Sequence, residues 1–442
     1  MSPKLTRALF IVTFIVSAIL RLGLSLVNRE ANDPHLEVVE YMLTHSGLPT
    51  RDDCWECFQP KLYHVLVTGI VKAADLPDLN AHVLAANLFN LIIGLLTLAV
   101  IWRFLAQLPT QNELLRWLAF AYVAFNPKLI GISSQATNDA LLILFSTLAI
   151  YQTWLFLQSL DKTHFTLFTL FAILAASTKT NGWVVFAAIL LALLLRALFD
   201  PKNRLRIETY LLGYLILVPL LVVLNPLNQY IHNYRVYGAP VVVNINRAAP
   251  PRLFEQTSTN KPGIRSIADG FFTFKFRSLL ATPYINYDFD NPLPHRTSFW
   301  TQLYGRAHSL NFDNWPPTWN SENPTGFPLR RAIYIFALVP TALLLAGVAV
   351  ETRNLFRKDN ANTIFLLAFL GFVGFVALYA FVYREYPVMK AVFTYPALPA
   401  FPVLFLAAAQ KLPGWALKAF TALSVVLFAL YIADVIALII RL

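Results

Sequence analysis

The chain has 442 residues, of which 57% are apolar and only 13% are Asp, Glu, Lys or Arg, about half the charged fraction of a soluble chain. No core absorbs that much apolar side chain in water, so the composition excludes an ordinary soluble domain, a disordered chain and a coiled coil. The net charge of +11 favours anionic partners, and beside so much apolar sequence these are lipid phosphates and not nucleic acid.

A helix needs about 20 mostly apolar residues to cross a bilayer. Eleven segments are candidates: 8–27, 82–106, 114–131, 140–158, 165–178, 183–199, 207–224, 331–350, 363–383, 394–410 and 417–440. The expected fold is an all-α polytopic membrane protein. The first segment lacks a small-residue cleavage site and carries Arg21 near its end, so it reads as a retained span and not a signal peptide. The segment 165–178 is the shortest. Pro396, Pro399 and Pro402 make 394–410 a broken helix, tolerable only where protein or water satisfies the freed backbone groups.

Two links are too long to be mere connectors, 28–81 and 225–330. They divide the chain into a transmembrane module 1–224 that includes the loop 28–81, a long loop 225–330 that is part interfacial, and a transmembrane module 331–442. The first loop holds Asn32-Asp33-Pro34-His35, then Glu37 and Glu40, then a run from Arg51 to His64. Lys61-Leu62-Tyr63-His64-Val65-Leu66-Val67 opens a short interfacial helix. In the second loop, Phe271 to Arg277 sets aromatics beside cations, which suits an interface.

Positive charge in short links sets orientation. Lys4 and Arg7 precede the first span, and Arg196, Lys202, Arg204, Arg206, Arg353, Arg357, Lys358, Lys411 and Lys418 fall on the same side by alternation. The N-terminus is therefore expected in the cytoplasm and, with eleven spans, the C-terminus outside. The opposite, outer side collects the informative polar residues: Asp33 and its loop, Asn126-Pro127-Lys128, Gln135 to Asp139, Thr178 to Gly182, and Tyr383 to Lys390 followed by Tyr395-Pro396.

This ordered set resembles the polytopic GT-C glycosyltransferases that use polyprenyl-phosphate sugars, among them the protein O-mannosyltransferases and the aminoarabinose transferases of lipid A. The residues that carry the resemblance are Asp33 after the first span, Gln59-Pro60-x-Leu62-Tyr63-His64, Asn138-Asp139 heading the fourth span, Thr178-Lys179-x-Asn181-Gly182, and Tyr395-Pro396-Ala397-Leu398-Pro399. It covers the first half of the chain best. It departs where the family often has two adjacent acids, because Asp33 is followed by Pro34, so Asp33, Glu37 and Asp53 all stay in view as the base. The resemblance implies a GT-C-like bundle of about eleven spans with two long outer loops carrying interfacial helices. It implies transfer of a sugar from a polyprenyl-phosphate donor to a hydroxyl acceptor on a glycan, lipid or protein, at the periplasmic or lumenal face of a bacterial inner membrane or endoplasmic reticulum, with inversion.

Such chemistry needs a base for the acceptor hydroxyl, cations for the departing phosphate and a lipid-facing groove. By resemblance Asp33 is the base and Asp139 assists it or orients the acceptor. Lys61, Lys179, Arg384 and Lys390 are the candidates for phosphate contact, and His35, Tyr63, His64, Asn138 and Tyr395 for substrate contact. The resemblance requires no cofactor; relatives that transfer single sugars generally need no divalent metal, whereas oligosaccharide-transferring ones do. Plainer roles stand beside these. Asp33 and Asn138-Asp139 could cap helices, Lys179 could snorkel to headgroups, and Arg384 and Lys390 could anchor with Tyr383, Tyr386 and Tyr395. Cys54-x-x-Cys57 reads as a structural disulfide on an oxidising face, ahead of a metal site with His35, His45 or His64. His295 to Trp300 and Trp315 to Trp319 would suit a sugar platform, with the interface as the default role. The alternative function is a secondary transporter or lipid-linked sugar flippase, whose best support is Asp434, the lone mid-span carboxylate.

Overall fold

A computed structural model describes residues 3–30, 34–110, 112–242, 266–285, 293–312, 317–355, 361–384 and 388–442. Among them are eighteen α-helices, several 3-10 turns and no strand. In chain order the helices are α1 (Pro3–Val27), α2 (His35–Thr44), α3 (Leu62–Ala73), α4 (Leu79–Gln107), α5 (Glu113–Phe125), α6 (Pro127–Ile132), α7 (Asp139–Ser159), α8 (Lys162–Thr178) and α9 (Trp183–Phe199). There follow α10 (Arg204–Leu224), α11 (Tyr230–Tyr237), α12 (Ile267–Phe271), α13 (Phe276–Ala281), α14 (Phe299–His308), α15 (Phe327–Asn354), α16 (Thr363–Tyr383), α17 (Ala400–Ala409) and α18 (Gly414–Arg441).

Eight helices among the described residues are long and apolar enough to cross a membrane, so the chain is a multi-pass membrane protein. The other three candidate segments are interrupted or short, each for a local reason. Segment 114–131 breaks at Asn126-Pro127: the Asn126 side chain accepts the Leu129 N–H at 3.0 Å and Pro127 takes the first helical position, which starts a new helix. Segment 165–178 falls in α8, which has 17 residues. Segment 394–410 is a 3-10 stretch, Ala391–Ala397, and α17, bent by 79°, where the prolines remove backbone donors.

The bundle has a clear inside. In α7, 78% of the spanning window is buried, against 22% in α10. Helix α7 is wrapped by α4, α8, α9 and α16. The Leu212, Ile216 and Leu220 side chains of α10 stay exposed, as a lipid-facing surface requires. The last helices close back on the first, with α18 packed on α1 and α5, and α17 on α5.

Helix α3 buries Tyr63, His64, Val67 and Val71, and a Cys54–Cys57 disulfide closes the turn before it. The second loop is pinned to α18. Asp434 accepts from Leu310 N–H at 3.2 Å, Asn311 Nδ2 at 2.8 Å and Ser309 Oγ at 3.3 Å. Arg441 donates to the carbonyls of Thr318 and Trp319. Asp434 is thus a fastener for the loop. Trp319 is fully buried, which removes it from any sugar platform; Trp315 lies outside the described residues. His295 is buried as well, with Nδ1 at 3.0 Å from Ser278 Oγ and Nε2 at 2.9 Å from the Tyr284 carbonyl, and burial pushes its pKa down to about 4. Trp300 is half exposed and its indole N–H donates to the Phe271 carbonyl at 2.7 Å.

Candidate active site

Amides inside apolar helices assemble one end of the bundle. Asn28, at the end of α1, donates through Nδ2 to the Ser134 carbonyl at 2.9 Å and accepts at its own carbonyl from Asn87 Nδ2 at 2.9 Å. One turn along α4, Asn90 Nδ2 reaches the carbonyls of Gln135 at 2.6 Å and Thr137 at 2.8 Å, and lies 3.3 Å from Tyr63 Oη. Buried amides seek partners because an unpaired one is costly in an apolar surrounding. Here they hold the link 133–138 to α1, α3 and α4, and so place the start of α7. The visible signal is two asparagines three residues apart in an apolar run, hence on one helix face.

At the start of α7, Asp139 and Lys179 form a buried ion pair, Nζ to Oδ1 at 2.8 Å. The other carboxylate oxygen accepts from Thr137 Oγ1 at 3.2 Å. Asn138 stands at the N-cap position without a capping bond from its side chain; its amide faces the Thr178 carbonyl at 3.4 Å. Lys179 leaves α8 in extended backbone, and its ammonium lies 5.4 Å from the centre of the Phe393 ring. Gly182 makes this link possible, because a side-chain carbon there would overlap the backbone of Ala175 and Ala176.

Helices α2 and α3 add two imidazoles. His35 Nδ1 and His64 Nε2 are 3.2 Å apart, so one donates and the other accepts. Burial, then the charges of His35, Lys61 and Lys179, hold His64 well below the ordinary histidine range. Two nearby ammonium groups also make the pair a poor seat for a cation. Among the described residues no group of three or more His, Cys, Asp or Glu side chains is placed to hold a metal ion.

Lys61 is fully buried and its ammonium donates to the carbonyls of Cys57 and Gln59. Burial pushes it down to about 7, against the opposing pull of Glu56 and Asp53. The unfolded chain keeps that proton up to the ordinary lysine value, so between about pH 7 and 10 it binds more protons than the folded state and Lys61 favours folding increasingly as pH rises. We expect the thermal midpoint of the wild type to gain on that of Lys61→Met across this window, measured in detergent, and the two to run parallel at lower pH.

Asp33 lies outside the described residues. Glu37 and Asp53 are exposed and serve the loop: Glu37 Oε2 accepts Trp55 N–H at 3.2 Å, and Asp53 Oδ2 accepts Thr50 N–H at 2.6 Å. Arg384 ends α16 in left-handed backbone at φ 54°, and Lys390 precedes the Ala391–Ala397 stretch; both are half-buried. Tyr395 faces away from the ion pair, with its hydroxyl on Asn126 Oδ1 at 3.0 Å. There it lines an apolar cavity of about 640 Å³ between α5, α14, α15, α16, α17 and α18. The Ala391–Ala397 stretch is the partition: Phe393 sits by Lys179, while Ala391, Thr394 and Tyr395 line the cavity.

The apo crystal structure of the Archaeoglobus fulgidus oligosaccharyltransferase superposes on this bundle with a TM-score of 0.52 over 96% of the chain, at 11% identity. The fold is of the GT-C type. The chain spans 56% of the length of that oligosaccharyltransferase. A second structure, the archaeal oligosaccharyltransferase AglB from Archaeoglobus fulgidus with an inhibitory peptide and a dolichol-phosphate, matches over 96% of this chain and 56% of its own, at 10% identity and TM-score 0.49. A family model described as dolichyl-phosphate-mannose-protein mannosyltransferase matches residues 70–237, less than half of the chain but including Asp139 and Lys179. No curated protein matches the sequence.

Proposed function

We propose that this GT-C-type protein is a glycosyltransferase that moves a sugar from a polyprenyl-phosphate donor to a hydroxyl acceptor. The observation that carries the reading is the buried Asp139–Lys179 pair, set beside an apolar cavity with only one 3-10 stretch between them. The cation suits a lipid phosphate and the cavity suits its tail. In the proposed step an acceptor oxygen forms a bond to the anomeric carbon while the bond from that carbon to phosphate oxygen breaks. The electron pair leaves on the phosphate and the acceptor proton goes to a carboxylate, with inversion at carbon. Asp33 is the proposed base, on the sequence resemblance. Asp139 holds the Lys179 ammonium where charge develops on the leaving group, and Lys390 and Arg384 are further phosphate contacts. Lys61, committed to the Cys57 and Gln59 carbonyls, supports the turn beneath His35, Tyr63 and His64.

The module 1–224 would supply the reacting groups, 331–442 the cavity wall and 225–330 the cover. The site is proposed to face the periplasm or lumen. Arg206 reaches the Leu160 carbonyl at the far end of α7, so the basic link between α9 and α10 lies opposite the Asp139 end, as positive residues on the cytoplasmic side would have it. Transport finds less support, because Asp434 is taken up by the loop at 309–311. The test is incubation of the purified protein in liposomes with a radiolabelled polyprenyl-phosphate sugar and candidate acceptors. Label in a covalent acceptor product is the expected result. Label crossing the membrane with the donor bond intact would replace this reading with flipping.

A further inference from the structure

Arg21 is a charged side chain inside a spanning helix and is 1% exposed. Its Nη1 donates to the Ala124 carbonyl at 2.9 Å, to the Ser17 carbonyl at 3.3 Å and to Ser17 Oγ. Ala124 lies in the last turn of α5, where carbonyls lack intrahelical partners, and Ser17 Oγ donates to the same oxygen at 2.7 Å. These bonds satisfy dipoles and leave the charge itself unanswered. Among the described residues no carboxylate pairs with Arg21, and its Nε has no hydrogen-bond partner. An ion without a counter-ion in such a surrounding is strongly unfavourable.

A separate small cavity of about 20 Å³ lies against the guanidinium, lined among others by Gly94, Thr97, Ser133 and Ala140. Gly94 lets Ser133 approach α4 beside the guanidinium: a side-chain carbon at that position would overlap Ser133 Oγ and fall 3.7 Å from Arg21 Nε. The volume admits one water-sized sphere or one monatomic anion. Both hydroxyls now donate to carbonyls of their own helices, Thr97 to Ile93 at 2.9 Å and Ser133 to Leu129 at 2.8 Å, and each turns to a new acceptor by rotation about one bond. We infer that this cavity is a binding site for a single halide-sized anion, chloride in ordinary buffers, held by Arg21 Nε and the hydroxyls of Thr97 and Ser133. A water would fill the space without answering the charge. The cavity shares Val123, Leu129 and Leu398 with the large apolar cavity, so the anion also braces one wall of that cavity.

The experiment is thermal unfolding of the purified protein in detergent at constant ionic strength, with chloride or bromide replacing gluconate. A saturable rise in Tm of about 2 °C or more is expected with either halide, lost in Arg21→Met and weakened in Thr97→Val. A wild type indifferent to the exchange, or an Arg21→Met variant with the same halide response, would overturn the inference. Because Arg21→Met also loses the bonds to Ser17 and Ala124, a second measurement uses the unaltered chain: anomalous scattering from crystals grown in bromide. A peak between Gly94 and Arg21 supports the site, and its absence there overturns it.

Discussion

Lys179→Met should cost about 3–5 kcal/mol of stability and remove sugar transfer. The loss of stability follows from what stays behind. Asp139 is buried, with one oxygen on the Lys179 ammonium and the other on the Thr137 hydroxyl, and the variant leaves its charge without that cation. Asp139→Asn strands the ammonium instead and should cost a similar amount. The double variant Asp139→Asn/Lys179→Met removes both charges, so most of the stability should return. Transfer should not return, because the proposed role of the ammonium is to meet charge on the leaving phosphate. Unfolding in denaturant gives the first quantity and label transfer the second. A double variant that regains both would reduce the pair to a structural fastener.

Asp33→Asn should lower transfer by about 10²- to 10⁴-fold, the usual range for loss of a general base, with little effect on unfolding. Glu37→Gln and Asp53→Asn are the matched controls. Both residues are exposed and bonded within their own loop, so their substitution should leave transfer within a few-fold of the wild type. Full activity in Asp33→Asn, with loss in either control, would move the base to that residue.

The apolar runs were readable because crossing a bilayer fixes both the length and the composition of a helix. The breaks within them were less so. Asn126-Pro127 is a helix-start signal, yet the apolar residues on both sides run together across it. Asp139 and Lys179 were both readable as polar residues at helix ends, but their pairing across 40 residues of chain depends on how α7 packs on α8, which periodicity does not carry. Tyr395 is a related case: a position within one turn decides which side of the partition it faces. Asn87, Asn90 and Ser17 are neutral, so a scan of the spans for carboxylates passes over them although they set the geometry. Trp319 looked like a surface ring and is buried, with Gly131 leaving room for it.

On the proposed reading, the partition formed by Ala391–Ala397 bears on which lipid donors would be accepted. A donor with its head at Lys179 and its tail in the cavity would have to bend over the ridge formed by the Ala391–Ala397 stretch. The bend falls on the first few carbons after the phosphate. Stiffness there, from a double bond or its absence, would then be sensed well away from the sugar, and total chain length would matter little once the hollow behind the ridge is full.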